Sequence, residues 1–511
     1  MSMEVEPNPL DLFFAKTWLG SLDSEKGTLL LASLMKSARE GNLCLFHQGD
    51  IPPSNLFPAT PVVKDGDRLY LHRNWVLETH FIQHIERLRK GTLTPFHDGE
   101  IFHRLLSQLG GLLPEQKKGI ETAFDRRLTL ICGGPGTGKT YTASLLVRLL
   151  VASLNRQQKP RFRIALAAPT GKAALHLQST LMAQGPFDAS IRCDASTLHR
   201  LLKLEPNEMK LFSNRRIDAD LILVDEASMI DVSLFAHLLE AVGEETRLVL
   251  IGDPDQLPPI DAGSLFAECA DLFGVRLRQC VRTNNENLRD LAEAIRRGDE
   301  AKFFENASIS SLDLESLYRK IDPLITDERP DPSACFVHYQ RCRLLNALRQ
   351  GPLGSEALNH SLFMRMEKRC LPGQWWAIPI LVTANMPRYS LYNGSAGVLI
   401  GQKSRQIHLL EGTPYFPEGP GGPGWKIFSK IPPFELSFCL SIHKSQGSEF
   451  EEVIALFPQG SENFGRESLY TAVTRAKKQC ELIGDPKTLS QMLKQSSRRI
   501  SGFSFRVSCN N

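Results

Sequence analysis

Residues Gly133-Gly134-Pro135-Gly136-Thr137-Gly138-Lys139-Thr140 satisfy the pattern GxxxxGK[ST]. Glycines let such a loop turn its amides inward on phosphate oxygens. Lys139 would reach the β- and γ-phosphates, and Thr140 would ligate Mg²⁺. Two further polar clusters follow apolar runs. Leu221–Val224 delivers Asp225-Glu226. Asp225 is placed to hold Mg²⁺ through water, and Glu226 to orient and polarise an attacking water. Leu248–Ile251 ends in Gly252-Asp253-Pro254-Asp255-Gln256-Leu257. That puts Gln256 near a γ-phosphate, where an amide senses phosphate or positions water.

Strands must bring these clusters together. LTLI (Leu128–Ile131), IALAA (Ile164–Ala168), LILV (Leu221–Val224) and LVLI (Leu248–Ile251) read as buried strands alternating with helices. That pattern predicts a parallel sheet covered on both faces, with ligands at the carboxyl ends of its strands. Upstream, residues 1 to about 105 hold a helix-like LLLASLMKSA (Leu29–Ala38) and a strand-like Arg68–His72, with no evident chemistry. Downstream, a charged irregular middle (Gly298–Pro332) precedes a helix expected at Tyr339–Arg349. Strand-like runs follow at Ile378–Val382 and Val453–Phe457. The Gly/Pro-rich Glu418–Trp425 reads as a loop in a small β insertion. Trp375-Trp376 reads as core, and the basic pair Arg498-Arg499 as solvated.

Composition narrows the classes. The 511 residues carry 60 Lys+Arg against 57 Asp+Glu, a net charge of +3, with 42% hydrophobic residues. This excludes a disordered chain and a protein coated in positive charge. Any nucleic acid must be met by a local groove. The length suggests about three domains. The 11 cysteines show no CxxC spacing, so neither a disulfide framework nor a zinc site is indicated. No signal peptide is visible, and no run approaches the ~20 apolar residues of a membrane helix. A bacterial cytoplasmic protein, with no membrane partner, is expected.

The ordered set of blocks resembles superfamily 1 DNA helicases. Gln116 lies where these keep a glutamine that reads adenine. APTGKAA (Ala168–Ala174) is similar to motif Ia, and TLHRLL (Thr197–Leu202) to the next DNA-contacting block. Asp225–Met229 is similar to motif II and Gly252–Leu257 to motif III. Arg282, within LRQCVRT, sits at the motif IV arginine. SIHKSQGSEF (Ser441–Phe450) and YTAVTRAK (Tyr470–Lys477) resemble motifs V and VI. Tyr141 and Ser441 are mild departures.

The match narrows to the RecD family, the alpha subunit of the RecBCD exonuclease V complex. GGPGTGKT, DEASMID and HKSQGSEF carry it, together with Leu344–Asn359 and the N-terminal Leu31–Leu45 and Asp67–Trp75. Free-standing relatives have a longer, different N-terminal extension.

The resemblance implies an α/β fold of two RecA-like P-loop lobes with parallel sheets. A mainly helical N-terminal partner-docking domain (1–105) would precede lobe 1 (106–265) and lobe 2 (266–511). A small β-barrel-like insertion would occupy about 391–437 of lobe 2. ATP and Mg²⁺ would bind between the lobes. Gln116, Gly133, Gly134, Gly136, Thr137, Gly138, Lys139 and Thr140 would contact ATP, with Thr140 and Asp225 at the metal. Catalysis would use Glu226 and Gln256, with Arg282 and Arg475 as arginine fingers. Single-stranded DNA would meet Thr170, Lys172, Thr197, His199, Asn385, His443 and Lys444. Translocation would run 5′→3′, and the partners would be beta and gamma subunits. Two alternatives stay open at this stage: a free-standing 5′→3′ helicase and a non-hydrolysing scaffold subunit.

Overall fold

The computed structural model describes residues 7–19, 25–47, 61–93, 96–204, 215–280, 285–321, 323–389, 391–407, 409–418, 424–428 and 430–509. Pro9–Leu19 (α1) and Glu25–Arg39 (α2) pack beside a three-stranded antiparallel sheet. Its strands are Cys44–Phe46 (β1), Val62–Asp65 (β2) and Arg68–Leu71 (β3), in the order β1-β3-β2. Gly66, at φ +59°, makes the β2–β3 turn. Ala15, Leu19, Leu31, Ala32, Leu34 and Leu69 form a small core of their own.

The next helix, His72–Lys90 (α3), does not belong to that core. Leu77, Phe81, Ile85 and Leu88 recur at helical spacing and bury themselves in lobe 1 beside Phe235 and Leu239. The Phe81 and Phe235 rings meet edge-on at 5.0 Å. The expected boundary at 105 therefore falls inside a packed unit. The apolar stripe of α3 needs a partner, and lobe 1 supplies it.

Lobe 1 continues through Gly99–Gln108 (α4), Pro114–Asp125 (α5), Leu128–Gly133 (β4), Lys139–Ala152 (α6), Phe162–Ala168 (β5) and Gly171–Met182 (α7). Then come Ile191–Thr197 (β6), Leu198–Leu201 (α8), Leu221–Val224 (β7), Val232–Ala241 (α9), Arg247–Gly252 (β8), Leu265–Phe273 (α10) and Val275–Leu277 (β9). All six strands run parallel, in the order β6-β5-β7-β8-β4-β9. The four apolar runs read from sequence are four of them. The sheet extends past the expected edge at 265, because β9 pairs with β4. Strands β7, β8 and β4 are neighbours, so the three polar clusters emerge side by side at one end of the sheet.

Lobe 2 begins with Glu286–Arg297 (α11), Glu300–Asn306 (α12), Ser308–Ser310 (β10), Leu314–Lys320 (α13), Leu324–Thr326 (β11) and Pro332–Arg341 (α14). Cys342–Asn346 (β12) follows directly. The helix expected over Tyr339–Arg349 thus gives way to a strand of the second sheet. A short apolar run cannot be told from a buried helix by periodicity, and Leu344 and Leu345 are both fully buried. Ser355–Arg369 (α15), Trp375–Val382 (β13), Ala396–Gln402 (β14), Thr413–Pro417 (β15), Trp425–Ile427 (β16), Phe434–Leu436 (β17), Cys439–Ser441 (β18) and Phe450–Phe457 (β19) come next. Gly465–Val473 (α16), Ala476–Gly484 (β20) and Pro486–Lys494 (α17) complete the lobe. Its parallel sheet has the order β10-β20-β19-β12-β18.

The insertion is an antiparallel sheet, β11-β13-β14-β15-β16, with β17 also paired to β13. It is wider than the expected 391–437. The run Ile378–Val382 belongs to it, held against β14 from Trp375↔Gln402 to Leu381↔Ala396. Trp376 is core, as read: a Cβ on Gly401 would lie 2.3 Å from its ring. Most of the Gly/Pro-rich Glu418–Trp425 lies outside the described residues.

The last helix, Phe503–Cys509 (α18), leaves lobe 2 and returns to lobe 1. Phe503 packs edge-on against Phe81 at 5.4 Å. Glu78, fully buried, accepts from Gly502 N (2.8 Å), Tyr70 Oη (2.9 Å) and Arg506 Nη1 (3.1 Å). On the approach to α18, Arg498 is exposed as expected, whereas Arg499 is half-buried. Arg498 pairs with Asp271 (3.0 Å) and Asp255 (3.4 Å), and the Arg499 guanidinium lies against Gly41.

Candidate nucleotide site and nucleic-acid face

The P-loop leaves β4 and caps α6. Gly136 and Gly138 take φ of +76° and +82°, which side chains resist. Space is equally restrictive, since a Cβ on Gly138 would lie 2.7 Å from Gln116 Nε2. Lys139 Nζ donates to the carbonyls of Gly133 (2.7 Å) and Gly134 (2.9 Å), and Thr137 Oγ1 to Gly134 (2.8 Å). Gln116 braces the loop. Its Nε2 donates to the Thr137 carbonyl (3.1 Å) and its Oε1 accepts from Leu113 N (3.1 Å). Both ends of the amide are thus engaged within lobe 1.

The metal pair lies across the strand ends. Thr140 Oγ1 donates to Asp225 Oδ2 at 3.5 Å. A hydroxyl and a carboxylate are hard oxygen donors and fit Mg²⁺ held jointly with phosphate and water. Glu226 sits at φ +53°, one of two non-glycine residues with positive φ among those described. Such strain collects where geometry serves a function. Burial raises the Asp225 and Glu226 carboxyls, and the Asp225 charge raises Glu226 further. Arg475 and Lys139 pull Glu226 back toward its charged form.

Gln256 Nε2 donates to Asp253 Oδ2 at 3.1 Å, while its Oε1 is buried without a partner among the described residues. An orphaned acceptor beside a P-loop is what a positioned water requires. Burial pushes the Asp253 carboxyl up to about 6.

Lobe 2 faces these groups. A Cβ on Gly447 would lie 3.6 Å from Glu226 Oε1, so motif V abuts motif II. Arg475 is buried, its guanidinium held by the carbonyls of Thr471 (3.2 Å) and Ser448 (3.2 Å). The second expected finger, Arg282, lies outside the described residues. A cleft of about 1090 Å³ runs between Gly133–Thr137 on one side and Glu293, Arg296, Tyr470 and Lys477 on the other.

The expected DNA contacts divide into groups. Thr170 and Thr197 are N-caps of α7 and α8, accepting from Ala173 N (3.3 Å) and Arg200 N (3.4 Å). His199 is exposed beside Thr197. Lys172 Nζ reaches Ser448 Oγ of lobe 2 at 2.7 Å. Asn385 Oδ1 accepts from Asn393 N (3.0 Å). Lys444 is paired with both carboxylate oxygens of Glu435 at 2.6 Å. Burial holds His443 below the usual imidazole range, and Arg499 adds to that. Sequence reasoning missed Tyr392, whose ring lies so close to Gly171 that a Cβ there would approach to 2.6 Å. It gave no role to Tyr470, whose hydroxyl meets Asp253. The signal for Tyr470 was present, since it opens the motif VI block.

Residues 116–262 match the family model described as an AAA domain, and residues 436–483 that of a UvrD-like helicase C-terminal domain. The strand-end carboxylates, the P-loop and the UvrD-like block opposite them define an ATP-dependent superfamily 1 DNA helicase. The chain is 33% identical to the RecBCD enzyme subunit RecD of Mycolicibacterium smegmatis, over 89% of this chain and 85% of that protein. It is 29% identical to RecD of Haemophilus influenzae, over 86% and 80%. It therefore belongs to the RecD family. The ATP-dependent RecD2 DNA helicase of Deinococcus radiodurans is 29% identical over 72% of this chain but 48% of its own length. A solved structure of Pif1 helicase from Candida albicans aligns with TM-score 0.41 and 16% identity, over 79% of this chain and 100% of that one. Among the described residues no helix is long and apolar enough to cross a membrane.

Proposed function

We propose that this helicase translocates 5′→3′ on single-stranded DNA as the alpha subunit of a RecBCD-type complex. Its partners are beta and gamma subunits, its setting is double-strand-break repair and recombination, and its compartment is the bacterial cytoplasm. The observation that carries the reading is the meeting of three strand ends of one lobe with motifs V and VI of the other. The P-loop amides and Lys139 bind the phosphates of ATP. Thr140 and Asp225 hold Mg²⁺, which neutralises developing phosphate charge when bound. Glu226 takes up the proton of the attacking water, and Gln256 orients that water. Arg475 from lobe 2, with Arg282 from the segment that joins the lobes, stabilises the transferring phosphoryl group, a contribution of roughly 10³–10⁵ in rate for an arginine finger. Because the finger and the P-loop are on different lobes, hydrolysis follows lobe closure.

The DNA face is short hydroxyls, an amide, two imidazoles and two lysines. Such contacts position a backbone and carry no sequence information. The bounds we propose are a docking unit up to about residue 71, lobe 1 from α3 to β9 and lobe 2 from α11 to α17. An exposed stripe on α1, with Leu10 at 62%, Phe13 at 62%, Phe14 at 46% and Trp18 at 47% exposure, supports partner docking there.

A duplex with a 5′ or a 3′ single-stranded tail tests the motor. Unwinding is expected only from the 5′ tail and only with ATP, and Lys139→Gln is expected to abolish it. Unwinding from 3′ tails alone would overturn the polarity. Full activity of Lys139→Gln would overturn the ATP site.

A further inference from the structure

Three hydrogen bonds cross from lobe 2 to motif III. Tyr470 Oη donates to Asp253 Oδ2 (3.2 Å), Leu257 N donates to Thr471 Oγ1 (2.9 Å), and Gln446 Nε2 donates to the Leu257 carbonyl (3.3 Å). Between these anchors lies Gln256. Its Nε2 shares Asp253 Oδ2 with the Tyr470 hydroxyl. Tyr470, Asp253 and Gln256 are 6%, 1% and 6% exposed, so solvent does not compete for these bonds.

The chemistry gives the arrangement a direction. An ionised carboxylate only accepts hydrogen bonds, so it fixes which end of a glutamine amide faces it. With Nε2 committed to Asp253, Oε1 is the end left over, and it is the buried atom without a partner among the described residues. A flipped amide would set Oε1 against the carboxylate oxygen. The Asp253 carboxylate is itself held by the hydroxyl arriving from the other lobe.

We propose that Tyr470 is a positioning residue for hydrolysis. By donating to Asp253 across the lobe interface, it holds the carboxylate that orients Gln256. Gln256 is then set for water only when lobe 2 is seated on motif III. Thr471 and Gln446 assist by fixing the backbone of Leu257. This rests on the reading of Gln256 as the group that orients water.

The test is steady-state ATPase of the full chain with saturating single-stranded DNA, comparing Tyr470→Phe, Thr471→Val and Thr471→Ser with wild type. Tyr470→Phe keeps the ring and removes one hydroxyl. Its kcat is expected to fall roughly 10- to 100-fold, with KM for ATP within about twofold, the pattern of lost positioning rather than lost binding. Thr471→Val is expected to lower kcat, and Thr471→Ser to restore it. An unchanged kcat for Tyr470→Phe overturns the proposal. So does a raised KM at unchanged kcat, which would make Tyr470 a nucleotide-binding contact. If Tyr470→Phe does not fold, the Val and Ser pair at 471 decides by the same criterion. Failure of the underlying reading looks different: Gln256→Ala would then hydrolyse ATP with the wild-type kcat.

Discussion

Asp253 is the most heavily used carboxylate of the described site outside the metal pair. Two donors converge on its Oδ2, and burial lifts its carboxyl from the usual 3.8 to about 6. At neutral pH it is charged, which the two donors require. Below about pH 6 it takes up a proton, and an acceptor is lost. The kcat of ATP hydrolysis is therefore expected to fall as pH drops through about 6. Stability moves the other way. A carboxyl raised in the folded state adds stability that is fully present below the unfolded value and is lost as pH rises through the folded one. Asp253→Asn should therefore raise the unfolding free energy at pH 7, by on the order of 1–3 kcal/mol, while lowering kcat. A variant both less stable and fully active would refute this account. At this scale much was legible: the P-loop, Asp225, Glu226 and Gln256 are all at strand ends that face lobe 2. What escaped reading were partners distant in sequence. Lys444 on Glu435, Gln116 on Thr137 and Tyr470 on Asp253 depend on tertiary geometry that no spacing encodes.

Among the elements, α3 shows how pattern and assignment part company. Its apolar stripe is visible in sequence, yet nothing in the stripe says which core it joins. It joins lobe 1, with Phe81 fully buried between Phe235 and Phe503. Phe81→Ala is expected to destabilise that lobe by roughly 3–5 kcal/mol, read by chemical denaturation. Deleting residues 1–105 would do the same damage and could not report on docking. Removing residues 1–19 takes away α1 with little of the motor core. That truncation is expected to keep ATPase and lose co-purification with partner subunits. Retained co-purification would count against docking through α1. Four of the six strands of lobe 1 were legible because buried parallel strands are unbroken apolar runs. Strand β12 was not, since CRLLN continues a helical stretch without a breaker.

For the molecule as a whole, the near-neutral charge of +3 fits a motor whose cations are already engaged. Lys172 is on Ser448, Lys444 on Glu435, and Arg475 on the carbonyls of its own lobe. Composition could say only that any DNA contact would be local. The chain also passes between the lobes twice, once between β9 and α11 and again between α17 and α18. Cutting the second passage, between Gln495 and Ile500, is expected to leave the halves associated and to raise the ATP consumed per base pair unwound. An unchanged ratio would show that one passage suffices.

Those two passages have a mechanical meaning. A body joined to another at two separated points keeps one easy motion, rotation about the line through them. Here Cys280, at the start of the first passage, and Arg498, on the second, both border the nucleotide cleft, so both joints lie close to the phosphates. Atoms near an axis move little and atoms far from it move more. A small closing around the phosphates would therefore become a larger stroke at the parts of each lobe that lie farthest from the cleft, as in a lever whose short arm holds the fuel.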